Sequence, residues 1–305
     1  MSATGGHRLY PLISDKLDAA ANPAAQQVAD AILNRHGRAV RAILFYGSCR
    51  RSGAAEGVLD FYVLVDRYRH YHHSMIRSLI NFLLPPNVEF LRVGEPSAPI
   101  AAKIAIISQR QFYRRMSKHA LDTTLWARFA QPATLVYAAS HTDRDQVIAA
   151  LYNAVETACA WARSCAPQAD TSRIFWTQLF ELTYGAELRV ERKDRPQQIY
   201  DHEPAYYDEI FNALALGGDA RPLPSNLSFF KARLAWKLRC VLGKIRTILR
   251  LIKATFTFEG GVDYLLWKIE RHSGVALKLS PWQKRHPVLS APRLLYRLYR
   301  KGALS

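Results

Sequence analysis

The stretch "ILFYGSCRRSGAAEGVLDFYVLVD", residues 43–66, decides how the chain is read. An apolar run ends in Gly47-Ser48, a small and basic loop follows, and a second apolar run carries Asp60 near its start. Residues 40–46 and 58–65 are short and β-rich, so they are expected to be strands joined by the Gly-Ser loop. A glycine turn presents backbone N–H groups to phosphate, and a carboxylate at a strand mouth holds a hard cation that shares phosphate oxygens. That pairing is the geometry of nucleotidyl transfer, in which a metal stabilises the attacking and leaving oxygens at the α-phosphorus. The same residues also suit a plain glycine turn with a surface aspartate, and the stretch alone leaves both open.

Working outward, residues 24–37 have helical apolar spacing and stop at Gly37. "MIRSLINFLL" reads as a helix before Pro85-Pro86, "VEFLRV" and "KIAIIS" as strands, and "RFAQPATLVYA" closes an α/β region. Residues 142–215 are mainly helical, and "GGDARPLPSN", 217–226, has the composition of a linker. The expected division is therefore 20–140 as a mixed-sheet α/β (α+β) domain, 141–228 as a helical domain, and 229–305 as a basic amphipathic region.

Charge is unevenly spread. The chain has 42 Lys+Arg and 25 Asp+Glu, and residues 229–305 hold 17 of the former and 3 of the latter. A basic last quarter on a nearly neutral body points to an anionic partner, nucleic acid or an acidic membrane surface. Within it, Leu238, Val241, Leu242, Ile245, Ile248, Leu249 and Ile252 fall on one helical face. A continuous apolar face favours a membrane surface over RNA, whose binders interleave aromatic and basic residues. "RLLYRLYRK" near the end repeats the pattern, and no DNA partner is expected. No apolar run reaches the ~18 residues of a spanning helix, so a peripheral protein is expected. The start does not read as a secretory signal, and four cysteines without metal or disulfide spacing fit a reducing cytoplasm.

In many nucleotidyltransferases a second acid follows the first by two residues, but here that position is Tyr62. Asp66 shares the parity of Asp60, yet six residues of strand put about 20 Å between them. Glu89 and Glu187 are further candidates to complete a metal site.

Five separated motifs resemble the mitochondrial-type phosphatidate cytidylyltransferase family, the translocator-maintenance type of CDP-diacylglycerol synthase. "FYGSCRRSG…LDFYVLVD" is similar to its Tyr-Gly-Ser turn followed by Asp and Val-x-Asp, a pattern that also lacks the second acid. "HHSMIRSLI" matches its His-Tyr-Ser helix start at His72 and Ser74. "AAKIAIIS" places Lys103 on the family lysine, "LWARFAQP" retains Arg128 with Gln131 in place of lysine, and "TYGAELR" aligns Tyr184, Glu187 and Arg189. Cys49 and Gln198 depart from the pattern. The resemblance covers about residues 43–210. It implies CTP + phosphatidate → CDP-diacylglycerol + pyrophosphate with Mg²⁺, on a nucleotidyltransferase-like domain followed by a smaller winged-helix-like one. In that reading Asp60 and Asp66 hold the metal. Gly47, Ser48, Lys103, Arg128 and Arg189 hold the triphosphate or phosphatidate, and Lys103 also counts with the two aspartates as catalytic. The protein would sit at the cytoplasmic inner membrane, or on the matrix side of the mitochondrial inner membrane in a eukaryote. The alternatives are transfer to RNA or a small soluble acceptor, and a non-catalytic membrane or RNA adaptor of the same fold.

Overall fold

The computed structural model describes residues 3–53, 57–95, 98–165, 169–186, 194–214, 229–257 and 280. The 217–226 linker, Glu187, Arg189 and the "RLLYRLYRK" segment lie outside them. Helices α1 (Ala3–Leu17) and α2 (Pro23–His36) precede the sheet. The expected strands follow as β1 (Val40–Tyr46) and β2 (Val58–Val65), with one helical turn, α3 (Ser48–Ser52), filling the start of the loop between them. Next come α4 (Tyr68–His72), α5 (Met75–Leu83), β3 (Asn87–Val93), β4 (Ile100–Ser108), α6 (Gln109–Arg115), α7 (Thr124–Phe129) and β5 (Thr134–Ala138). The remainder is helical: α8 (His141–Cys165), α9 (Ser172–Gly185), α10 (Arg195–His202), α11 (Pro204–Ala213) and α12 (Phe229–Thr257). Among the described residues no strand follows β5.

The five strands form one mixed sheet in the order β3-β4-β2-β1-β5. Only β2 and β4 pair in parallel, because α4, α5 and β3 carry the chain back between them. The two-residue period of the strands sorts their side chains between two cores. Ile43, Phe45, Phe61, Val63, Ile104 and Ile106 face Val28, Ala29 and Ile32 of α2. Leu44, Tyr62, Leu64, Ala105 and Ile107 face the opposite way. That second core runs on through α7 and α8 into Trp176, Tyr207 and Trp236, so residues from all three expected regions share one apolar interior. Asp60 and Lys103 are register partners on this second face, at the edge of its apolar packing.

Helix α12 is amphipathic as expected, and it docks with the side opposite its apolar row. Ala232, Trp236, Arg239 and Gly243 turn inward, while Leu238, Val241, Ile245, Ile248, Leu249 and Ile252 are 46–56% exposed. Gly243 permits the approach, since a Cβ there would meet the Ala186 carbonyl oxygen at 2.5 Å. The guanidinium of Arg239 lies over the Trp161 ring and donates to the carbonyls of Ala120 and Lys118. Arg250 pairs with buried Asp122, which also binds Arg115. Thus the basic side supplies part of the docking contacts. Among the described residues no helix is long and apolar enough to cross a membrane.

Candidate active site

Strand β1 delivers the chain to Tyr46, opposite Asp60 of β2. Gly47 then turns it with φ +90° and ψ −163°, a backbone state essentially restricted to glycine. Glycine is required there for space as well: a Cβ would lie 2.8 Å from Asp60 Oδ2. The Gly-Ser turn and the aspartate are therefore in direct contact, although Gly47 and Asp60 are 13 residues apart in sequence. Gly47, Ser48, Asp60, Lys103 and Arg128 line one cleft of about 410 Å³, with Arg51, Gln131, Tyr184 and Arg195. That volume lies within the range of small-molecule sites.

The electrostatics of this cleft are lopsided. Among the described residues, four cations, Arg51, Lys103, Arg128 and Arg195, line the cleft with one carboxylate. Burial pushes the Asp60 carboxyl up from its ordinary value, and the charges of Lys103, Arg128 and Arg51 pull the other way. Burial likewise lowers the Lys103 ammonium, opposed by Asp60. Arg51 is lowered by burial and by neighbouring Arg195. It donates to Gln131 Oε1 at 3.2 Å, while its buried Nε has no partner. A bound anion would lower the mutual repulsion of these cations. The donors converge as they would on a polyphosphate.

Tyr62 occupies the place of the missing second acid and has a different use. It is 1% exposed, and its hydroxyl oxygen accepts from Arg128 Nη1 at 3.2 Å. The Arg128 guanidinium also lies 5.3 Å from the centroid of the Tyr46 ring. Two tyrosines thereby fix the direction of one cation. Gln131, at a lysine position of the resembling family, receives Arg51, so a cation returns to that place from another element. Gln198 receives Arg195 and donates to Asp194.

Two expected site residues belong elsewhere. Asp66 lies beyond the far end of β2, where its Oδ2 is 2.6 Å from His70 Nδ1. It lines a separate open cavity of about 800 Å³ with Arg38, Arg69 and His73. Unbroken parallel pairing with β4 from Val58 to Val65 keeps β2 extended, so Asp66 lies too far along the strand to share an ion with Asp60. Glu89 faces the α2 side of the sheet, buried against the Tyr71 hydroxyl at 3.2 Å. His72 is held as an acceptor for Asn81 Nδ2 at 2.9 Å, and burial lowers its pKa to about 4. Arg51 and Arg195 were not singled out in the sequence. The doubled arginine two residues after Gly47-Ser48 was the available signal for Arg51.

Among the described residues no group of three or more His, Cys, Asp or Glu is placed to hold a metal. The donor set still suits Mg²⁺ in its usual mode, bound by one or two carboxylates and completed by substrate phosphates. Asp60 would supply the protein ligand, and the ion would add charge stabilisation at the phosphates. No family model and no curated protein matches the chain.

Proposed function

We propose that the protein is a nucleotidyltransferase that takes CTP and an anionic lipid acceptor, phosphatidate, and releases CDP-diacylglycerol and pyrophosphate. The observation that carries the reading is the contact of Gly47 with Asp60 inside a cleft lined by Lys103, Arg51, Arg128 and Arg195. The mixed sheet, with its glycine turn after β1 and its acid near the start of β2, is read as nucleotidyltransferase-like. Of the helical part, α8–α11, within residues 141–228, would be the second, winged-helix-like unit.

Each residue has a derivable task. Lys103, Arg51 and Arg128 neutralise the triphosphate and the charge that passes to pyrophosphate as it leaves. Ser48 and the neighbouring backbone N–H groups orient the β- and γ-phosphates. Arg195, with Tyr184 on the same wall, meets the second phosphate, that of the acceptor. That phosphate is already anionic and nucleophilic, so transfer requires no strong general base. Binding both reactants in line then supplies much of the rate. The basic C-terminal region holds the enzyme on an anionic membrane, where the acceptor resides.

Incubation with labelled CTP, Mg²⁺ and phosphatidate vesicles tests the reading. Chloroform-soluble label supports it. Label in RNA or a soluble product replaces the acceptor, and no transfer to any acceptor leaves an adaptor.

A further inference from the structure

Helix α5 is built inside out for a globular protein. Its one buried residue is Asn81, which donates to His72 and to the Ile106 carbonyl and accepts from the Asn87 N–H. Polar bonds hold the helix down, and its apolar residues point away. Met75, Ile76, Leu79, Phe82 and Leu83 cover one helical face and are 56–72% exposed. The turn that ends α5 is in turn gripped by α12. Lys253 donates to the carbonyls of Leu84 and Pro86, and Arg250 to that of Pro85 at 3.0 Å. The C-terminal end of α12, with exposed Leu249 and Ile252 next to Arg250 and Lys253 in the chain, is therefore tied to the turn that ends α5. Two helices with outward apolar residues are joined at this turn, and soluble monomers rarely leave large apolar patches uncovered.

The charges around the patch are predominantly positive. Neither α5 nor α12 contains an acidic residue, and of the eight lysines and arginines of α12, Arg239, Arg250 and Lys253 bond inward. Arg233, Lys237 and Lys244 are exposed along α12. At the other end, Met75 borders the cavity that holds Arg38, Arg69 and His73 together with Asp66. A second copy of the chain would bring the same cations to the contact and be repelled. An anionic bilayer complements both features, apolar helices entering the acyl boundary and cations staying among the headgroups.

We propose that α5 and the C-terminal half of α12 form a two-helix bilayer-contacting surface, with α5 as an inserted element distinct from the basic tail. The proposal rests on the reading of the protein as membrane-acting, and not on the identity of its reaction. The test uses the full chain and vesicles of phosphatidylcholine with about one-third phosphatidylglycerol, without CTP or phosphatidate, so substrate recognition plays no part. The triple variant Ile76→Ser/Leu79→Ser/Phe82→Ser should partition at least about tenfold more weakly than the parent, since three large apolar side chains leave the contact. Its melting temperature should be unchanged, because these side chains already face water. Wild-type partitioning by the variant overturns the proposal. So does a clear loss of melting temperature, which would mean the face is covered within the chain. A dimer that the substitutions dissociate, with vesicle binding intact, would assign the face to a second copy. Lipid product absent from a protein that still binds vesicles through α5 would refute the proposed reaction and leave this surface standing.

Discussion

Replacing Gly47 by alanine tests the centre of the proposed site with a single methyl group. Two costs can be read from the structure. The backbone at Gly47 has φ +90° and ψ −163°, where a residue with a Cβ pays about 1–3 kcal/mol. The new methyl would also stand 2.8 Å from Asp60 Oδ2 and 3.3 Å from Asp60 Cβ, so the carboxylate must move aside. At about 2–4 °C per kcal/mol, the melting temperature should fall by roughly 2–10 °C. Displacing a reacting group by about 1 Å costs on the order of 100-fold in rate, so CDP-diacylglycerol formation should drop by about that factor in folded protein. Gly53→Ala is the matched control. That glycine also has positive φ, +66°, but nothing lies within 4 Å of its missing Cβ. It should lose about 1 kcal/mol of stability and keep its activity. Thermal melts and the labelled-CTP assay, run on both variants, separate the two costs. Gly47→Ala retaining activity within about threefold of the parent would refute the role given to the Gly47–Asp60 contact.

Asp60→Asn keeps the shape of the side chain but removes its charge, and activity should fall by orders of magnitude; Asp66→Asn, at the other end of β2, should stay within a few-fold of the parent in the same assay. Arg51→Gln should raise KM for CTP by about tenfold, one charge-assisted contact, with little change in melting temperature; steady-state kinetics at varied CTP give the answer. Asp122 is buried between Arg115 and Arg250, and their charges hold its pKa at about 2 against an ordinary 3.8. Its depressed folded pKa means the stabilisation is complete above pH 4 and is lost as pH falls toward 2, about 2 kcal/mol that acid denaturation curves should show missing from Asp122→Asn. At neutral pH the same variant should be less stable by about 3–5 kcal/mol, since both arginines lose their partner.

The strands were legible because β-branched and aromatic runs bounded by glycine have few other solutions; β1 and β2 fall where the apolar runs at 40–46 and 58–65 placed them. Helix α1 was not, since "ATGGHRLYPLISDKL" contains two glycines and a proline and earns its helix by burying Leu9, Ile13 and Leu17. The periodicity of α12 gave its apolar face but not the side that faces the protein. Amphipathicity fixes which residues travel together, while docking depends on partners such as the Ala186 carbonyl, Trp161 and Asp122 that come from distant segments. The same limit applies to the site. A turn and an acid 13 residues apart could be paired from local geometry. Arg51 in an apparent loop and Arg195 at the start of α10 reach the cleft of Lys103 only through tertiary packing.

The substitution of a tyrosine for the second acid also bears on the order in which reactants assemble. With the Tyr62 hydroxyl committed to Arg128, the described lining of the cleft carries one carboxylate and four cationic side chains. Such a field draws in a nucleotide and disfavours a lone divalent ion, because like charges oppose its approach. In the proposed reaction the triphosphate would serve as chelator as well as substrate, and Mg²⁺ would enter bound to it. Titration with Mg²⁺ alone should give no saturable signal, and the same titration in the presence of a non-hydrolysable CTP analogue should give one. An enzyme organised this way would be spared the trapping of stray metal between turnovers, and its occupancy would follow the concentration of the magnesium–nucleotide complex.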